Sequence, residues 1–113
     1  MNYTEYVLPK TRSRRMYGIK LSDFGGAIYI DLKGSNFASD NNYFAILNSE
    51  HGAAVEYSFG GYYHDEDPEN DPLPGDEDFQ LLGSQGHYEV QGRMFNGNLR
   101  VWIRGADKIT IIY

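Results

Sequence analysis

The chain of 113 residues contains no cysteine, so disulfides, thiolate metal sites and a cysteine nucleophile are excluded, and nothing favours an oxidising compartment. No apolar run approaches the length of a membrane span, and the opening MNYTEYVLPKTRSRR lacks the apolar middle of a secretory signal. A cytoplasmic location with no membrane partner is therefore expected. Histidine is scarce, and His64, although beside Asp65 and Glu66, has no second histidine near it in sequence, which argues against zinc. Of only four prolines, three (Pro68, Pro72 and Pro74) crowd into one stretch, where they exclude helix and inner strand.

What the chain has in quantity is aromatic residues and glycine. Ten tyrosines, six phenylalanines and thirteen glycines point to strands joined by tight turns. The length suits one domain, 1–113, with a single core. The strongest local signal is YEVQGRMF-NG-NLRVWIR, in which Asn96-Gly97 suits a two-residue type I′ turn between strands at 88–95 and 98–104. The implied register sets Arg93 opposite Arg100, Gln91 opposite Trp102, Val90 opposite Ile103 and Glu89 opposite Arg104. Met94, Leu99, Val101, Val90 and Ile103 then share a core face.

Other alternating stretches lie at 16–22, with Tyr17, Ile19 and Leu21 on one side, and at 27–33, with Ile28, Ile30 and Leu32 on one side. The turn residues 23–26 between them predict a second hairpin. Strands at 43–48 and 53–59 around 49–52 predict a third, with Val55, Tyr57 and Phe59 on one face. Shorter strands are expected at 3–8 and 79–82, and the apolar run 109–113 is expected to be inserted in a sheet, since an exposed one would invite aggregation. About eight strands in all predict an all-β fold, a single small antiparallel β-sandwich or barrel with one long acidic loop at 64–78.

Charge is laid out unevenly. The net charge is −6, yet Asp65, Glu66, Asp67, Glu69, Asp71, Asp76, Glu77 and Asp78 supply eight of the sixteen acids within 65–78, with no base among them. The remaining chain holds eight acids against ten bases, a balance of +2. The body is thus mildly basic and carries one acidic segment. Its overall sign disfavours direct nucleic-acid binding.

No arrangement for catalysis stands out. The stretch Gly83-Ser84-Gln85-Gly86 lacks the nucleophile-elbow spacing of a serine hydrolase, and carboxylates in a proline-rich loop are too solvated for acid–base work. The acid alternation at 65–71 fits an EF-hand poorly, because Asn70 and Asp76 stand where glycine and glutamate are required. No enzyme activity, cofactor or metal is expected. The function expected is that of a non-enzymatic protein-binding module, in which Tyr62, Tyr63, Asp65, Glu66, Asp67, Asp76, Glu77 and Asp78 meet a basic protein surface. Such a layout would suit a phage-type inhibitor of a nucleic-acid-binding machine. A secondary face is expected from Arg93, Arg100, Trp102 and Arg104, whose charge would be met by the chain's own acidic loop, by a partner's carboxylate or phosphate, or by solvent. Two other classes fit the same residues: a carbohydrate-binding module, calcium-dependent or not, with Trp102, Tyr62 and Tyr63 as stacking platforms, and a self-associating structural subunit such as a virion protein.

Overall fold

The apolar run near the C-terminus becomes β9 (Lys108–Ile112), which buries Ile109 and Ile111 and is flanked on both sides, by β2 (Met16–Lys20) and β4 (Tyr43–Asn48). Its insertion follows from composition: β-branched residues at alternate positions pack well on a pleated surface. In the computed structural model, which describes residues 2–8, 15–32, 43–59, 74–91 and 99–113, the other strands are β1 (Thr4–Glu5), β3 (Ile28–Leu32), β5 (Val55–Ser58), β6 (Gln80–Leu82), β7 (His87–Gln91) and β8 (Leu99–Arg104). They form a sandwich of two sheets. One runs in the order β1-β3-β8-β5-β6 and the other β2-β9-β4-β7. All pairings are antiparallel except that of β1 with β3.

The core-facing sets match expectation where they are described, with Tyr17 and Phe59 only half-buried against the core and Met94 and the side chain of Leu99 outside the described residues. Ile28, Ile30 and Leu32 on β3, Ile19 and Leu21 around β2, Val55 and Tyr57 on β5, and Val101 and Ile103 on β8 are all buried between the sheets. The pairings do not match. The strands expected at 88–95 and 98–104 do not pair as a hairpin: β7 pairs with β4 in one sheet, whereas β8 lies between β3 and β5 in the other. Opposite Trp102 stand Tyr29 and Ser58 rather than Gln91, and opposite Arg104 stands Glu56 rather than Glu89. The turn Asn96-Gly97, Arg93 and Met94 lie outside the described residues, as does the side chain of Val90. A two-residue turn preference acts locally, whereas the ladder is chosen over whole strands. Here it sets Asp31 opposite Arg100, where the expected hairpin would have set a second arginine.

The same correction applies twice more. Strands β2 and β3 lie in different sheets, joined by a 3-10 turn, Leu21–Phe24, after which Gly25 and Gly26 take φ angles of 80° and 94°. Such angles favour glycine, which has no Cβ to clash. Strands β4 and β5 are likewise in different sheets. Among the described strands, β5 and β6 alone are consecutive and share a sheet. Alternation with a period of two cannot distinguish these arrangements, because a strand buries the same residues whether its successor lies beside it or across the core.

The crossings are held by polar side chains. Asn48, fully buried at the end of β4, donates from Nδ2 to the carbonyls of Ala53 (2.9 Å) and Leu82 (3.0 Å) and accepts from the Glu50 N–H at 2.8 Å. It thereby joins the 49–54 crossing to the end of β6. The Ser84 hydroxyl donates to the Glu50 carbonyl at 2.8 Å, and the Glu50 carboxylate accepts from the Lys108 N–H at 2.9 Å.

Candidate functional site

The acidic segment enters the described structure at Pro74 and ends in a 3-10 turn, Asp76–Asp78. The turn is closed locally. The Gly75 N–H donates to Asp78 Oδ2 at 2.9 Å, and the Asp78 N–H donates to the Gly75 carbonyl at 2.9 Å. Because the Asp78 side chain satisfies a backbone donor at the base, the turn keeps its shape while Asp76, Glu77 and Asp78 all project into solvent. Phe79 follows, buried, and leads into β6.

The turn is fastened to the sheet by Arg104, the last residue of β8. Its Nη2 donates to Asp76 Oδ1 at 2.9 Å and to Glu56 Oε1 at 3.3 Å, its Nε reaches the same Glu56 oxygen at 3.4 Å, and its Nη1 donates to the Tyr3 hydroxyl at 3.2 Å. The guanidinium carbon lies 3.9 Å from the centre of the Phe79 ring. One cation is thus engaged along its edge by two acids and a phenol and on its face by an aromatic ring. Burial works against its charge, but the hydrogen bonds to Asp76 and Tyr3 and the Glu56 carboxylate outweigh it, so its pKa is held above the ordinary arginine value. The Arg104 side chain is 14% exposed and that of Asp76 is 91% exposed. The arginine is the fixed member of the pair.

Beside this latch lies a second polar and aromatic layer on the outward side of the five-stranded sheet. Arg100 (2% exposed) meets Asp31 through Nε–Oδ1 and Nη2–Oδ2 contacts of 2.5 and 3.1 Å. Its guanidinium lies 4.2 Å from the centre of the Tyr29 ring and 5.3 Å from that of Trp102. Trp102, 3% exposed, is packed edge-to-face with Tyr3 at 5.0 Å and lies 5.3 Å from Tyr29. Burial, and then the charge of Glu5, raise the pKa of the Tyr29 hydroxyl above the usual phenol value.

The expected site residues separate accordingly. Asp76, Glu77 and Asp78 are at the surface on one turn; Tyr62, Tyr63, Asp65, Glu66, Asp67 and Arg93 lie outside the described residues. Arg100 and Trp102 are buried rather than presented to solvent, so neither stands open as a phosphate contact or a stacking platform. The described contact between the acidic segment and an arginine is made by Arg104, and Glu89, its expected partner, stands 3.7 Å from His87 Nε2 instead. Sequence reasoning missed Tyr3, Asp31, Glu56 and Phe79, because Asp31 and Glu56 are brought in by their pairing with β8, and Tyr3 and Phe79 by flanking β1 and β6, neither of which alternation encodes. Ser84 is engaged with the Glu50 carbonyl as a turn residue. Among the described residues no group of three His, Asp or Glu side chains is placed to hold a metal ion, and no helix is long and apolar enough to cross a membrane. Comparison with protein-family models, curated proteins and solved structures returned no match to this chain.

Proposed function

We propose that the protein is a non-enzymatic binding module whose β-sandwich presents the acidic, tyrosine-bearing segment 62–79 to a basic protein surface. The observation that carries this reading is the turn at 76–78, where three carboxylates are exposed together on a locally closed backbone that is fastened to a central strand. Carboxylates held in place lose less conformational freedom on binding than those on a free loop, and their field steers a cationic partner into encounter. Arithmetic favours the same surface. Asp76 and Glu56 together carry −2 against the +1 of Arg104, so with Glu77 and Asp78 the turn and its anchor keep a charge of −3. Tyr62 and Tyr63 would supply the aromatic area that anchors such interfaces. A partner whose basic surface ordinarily meets nucleic acid would find spaced carboxylates in place of phosphates, and the module would act as its competitor.

Neutralising Asp65, Glu66, Asp67, Asp76, Glu77 and Asp78 to Asn or Gln tests this reading. Capture of a basic partner from host lysate, identified by mass spectrometry with wild type and variant in parallel, should be lost in a variant that still folds, its melting temperature lowered by the weakened contacts of Asp76 with Arg104 and of Asp78 with the Gly75 N–H. Equal capture by both proteins would exclude the acidic segment as the working surface.

A further inference from the structure

The latch between Arg104 and Asp76 poses a question of sign. A cation beside an acidic binding surface ordinarily weakens the attraction of that surface for a cationic partner. Arg104 nevertheless spends one hydrogen bond on Asp76, the most solvent-exposed acid for which an ion pair is described, while Glu56, Tyr3 and Phe79 hold the guanidinium from the other sides. Those three supports come from separate parts of the chain: the N-terminal arm, β5, and the residue before β6. An arginine whose role was only to neutralise an acid would need none of them.

We propose that Arg104 is the positioning residue of the acidic turn: it fixes where Asp76, and with it Glu77 and Asp78, stand relative to the sheet, and this placement contributes more to engagement of a cationic partner than its own positive charge takes away. The proposal rests on the reading of the acidic segment as the working surface. The chemistry selects arginine over lysine, because a planar guanidinium can serve Asp76 and Glu56 from one nitrogen, reach Tyr3 from another and stack on Phe79 at once, whereas an ammonium is a point charge on a flexible stem. The partner class follows as well. Asp76 gives Arg104 one carboxylate oxygen, Oδ1, so a partner offering arginine side chains would be met by the turn's other carboxylate oxygens through charge-assisted hydrogen bonds.

The opposing signs make the test decisive. Full-length wild type, Arg104→Lys and Arg104→Gln are titrated against a fluorescein-labelled nine-arginine peptide by anisotropy at fixed ionic strength, with thermal melts of each protein. The Gln variant is one charge more acidic, so an arginine that merely neutralises predicts tighter binding on its removal and no change for lysine. Positioning predicts that both substitutions weaken binding, by about five-fold, a size typical of coupling between contacting side chains. Tighter binding by the Gln variant together with unchanged binding by the Lys variant would overturn the proposal. Should the Gln variant fail to fold, the double variant Tyr3→Phe/Phe79→Leu removes two supports of Arg104 without altering charge; weakened binding upholds positioning, and unchanged binding overturns it. The six-acid variant separates the two levels of inference. If it binds the peptide as wild type does, the acidic surface itself is refuted; if it loses binding while the Arg104 variants do not, only the role of Arg104 falls.

Discussion

Asp31 and Arg100 stand opposite each other across the β3–β8 ladder and meet as a two-pronged ion pair on the outward side of the sheet, both buried. Desolvating two charges offsets much of their attraction, so the pair contributes less to net stability than the loss of one member would cost. Asp31→Leu or Arg100→Met alone is expected to lower unfolding free energy by about 3 kcal/mol, because each leaves a buried charge without its partner. The double variant Asp31→Leu/Arg100→Met should recover most of that loss. Urea denaturation of all four proteins measures both quantities, and losses that simply add in the double variant would contradict the coupling.

Asn48 is expected to be among the least replaceable polar residues of the body. Its three hydrogen bonds are each worth about 1 kcal/mol net, so Asn48→Ala should cost about 2–4 kcal/mol in equilibrium unfolding. Asn48→Asp should cost more despite near-identical shape, since it turns two donors toward carbonyls into a charge facing them. Its penalty should shrink as pH falls and the carboxyl protonates, which unfolding measured across the acid range would reveal.

Asp107 provides the acid limb. The Ser22 N–H donates to it at 2.9 Å, and this contact, together with the Ser22 hydroxyl, lowers its pKa below the usual carboxylate value. A group depressed in the folded state contributes stability above its unfolded pKa, and loses it as pH falls through the folded one. The Asp107→Asn variant should therefore match wild type more closely in strong acid than at neutral pH, the gap closing below about pH 4. Urea midpoints followed down in pH check this, and a gap that widens on acidification contradicts it.

The single tryptophan reports on the outward layer. With Trp102 buried against Tyr3 and Tyr29, its emission should be blue-shifted and poorly quenched by acrylamide. Tyr3→Ala should shift the emission to the red and lower stability by about 2 kcal/mol, since the aromatic pair and the hydrogen bond to Arg104 are lost together. Emission that does not move would mean that Tyr3 does not shield the indole.

The sequence encodes which residues face the core more plainly than it encodes neighbours. Ile28, Ile30 and Leu32 are apolar at alternate positions because they point inward, and that pattern is visible without any partner. Arg100 and Trp102 were expected on a polar face and are instead buried on the outward one, because Asp31 and the tyrosines Tyr3 and Tyr29 surround them. Nothing local in the chain announces that Asp31 lies opposite Arg100, nor that Glu56 lies opposite Arg104; both follow from β8 being flanked by β3 and β5. The acidic turn was visible as composition, and its anchor was not, since the arginine that holds Asp76 lies 28 residues further along.

Because the described strands alternate between the two sheets at nearly every step along the chain, neither sheet corresponds to a contiguous piece of sequence. Strand β9 hydrogen-bonds to β2, whose residues precede it by roughly ninety positions, and it also separates β2 from β4. Of the two interior strands of the four-stranded sheet, β9 is supplied by residues 108–112 and β4 by residues 43–48, and a cut at almost any connection between the described strands would strip strands from both sheets at once. Contacts this distant in sequence demand costly loop closures before they are rewarded, which places folding toward the slow end of the range for small domains.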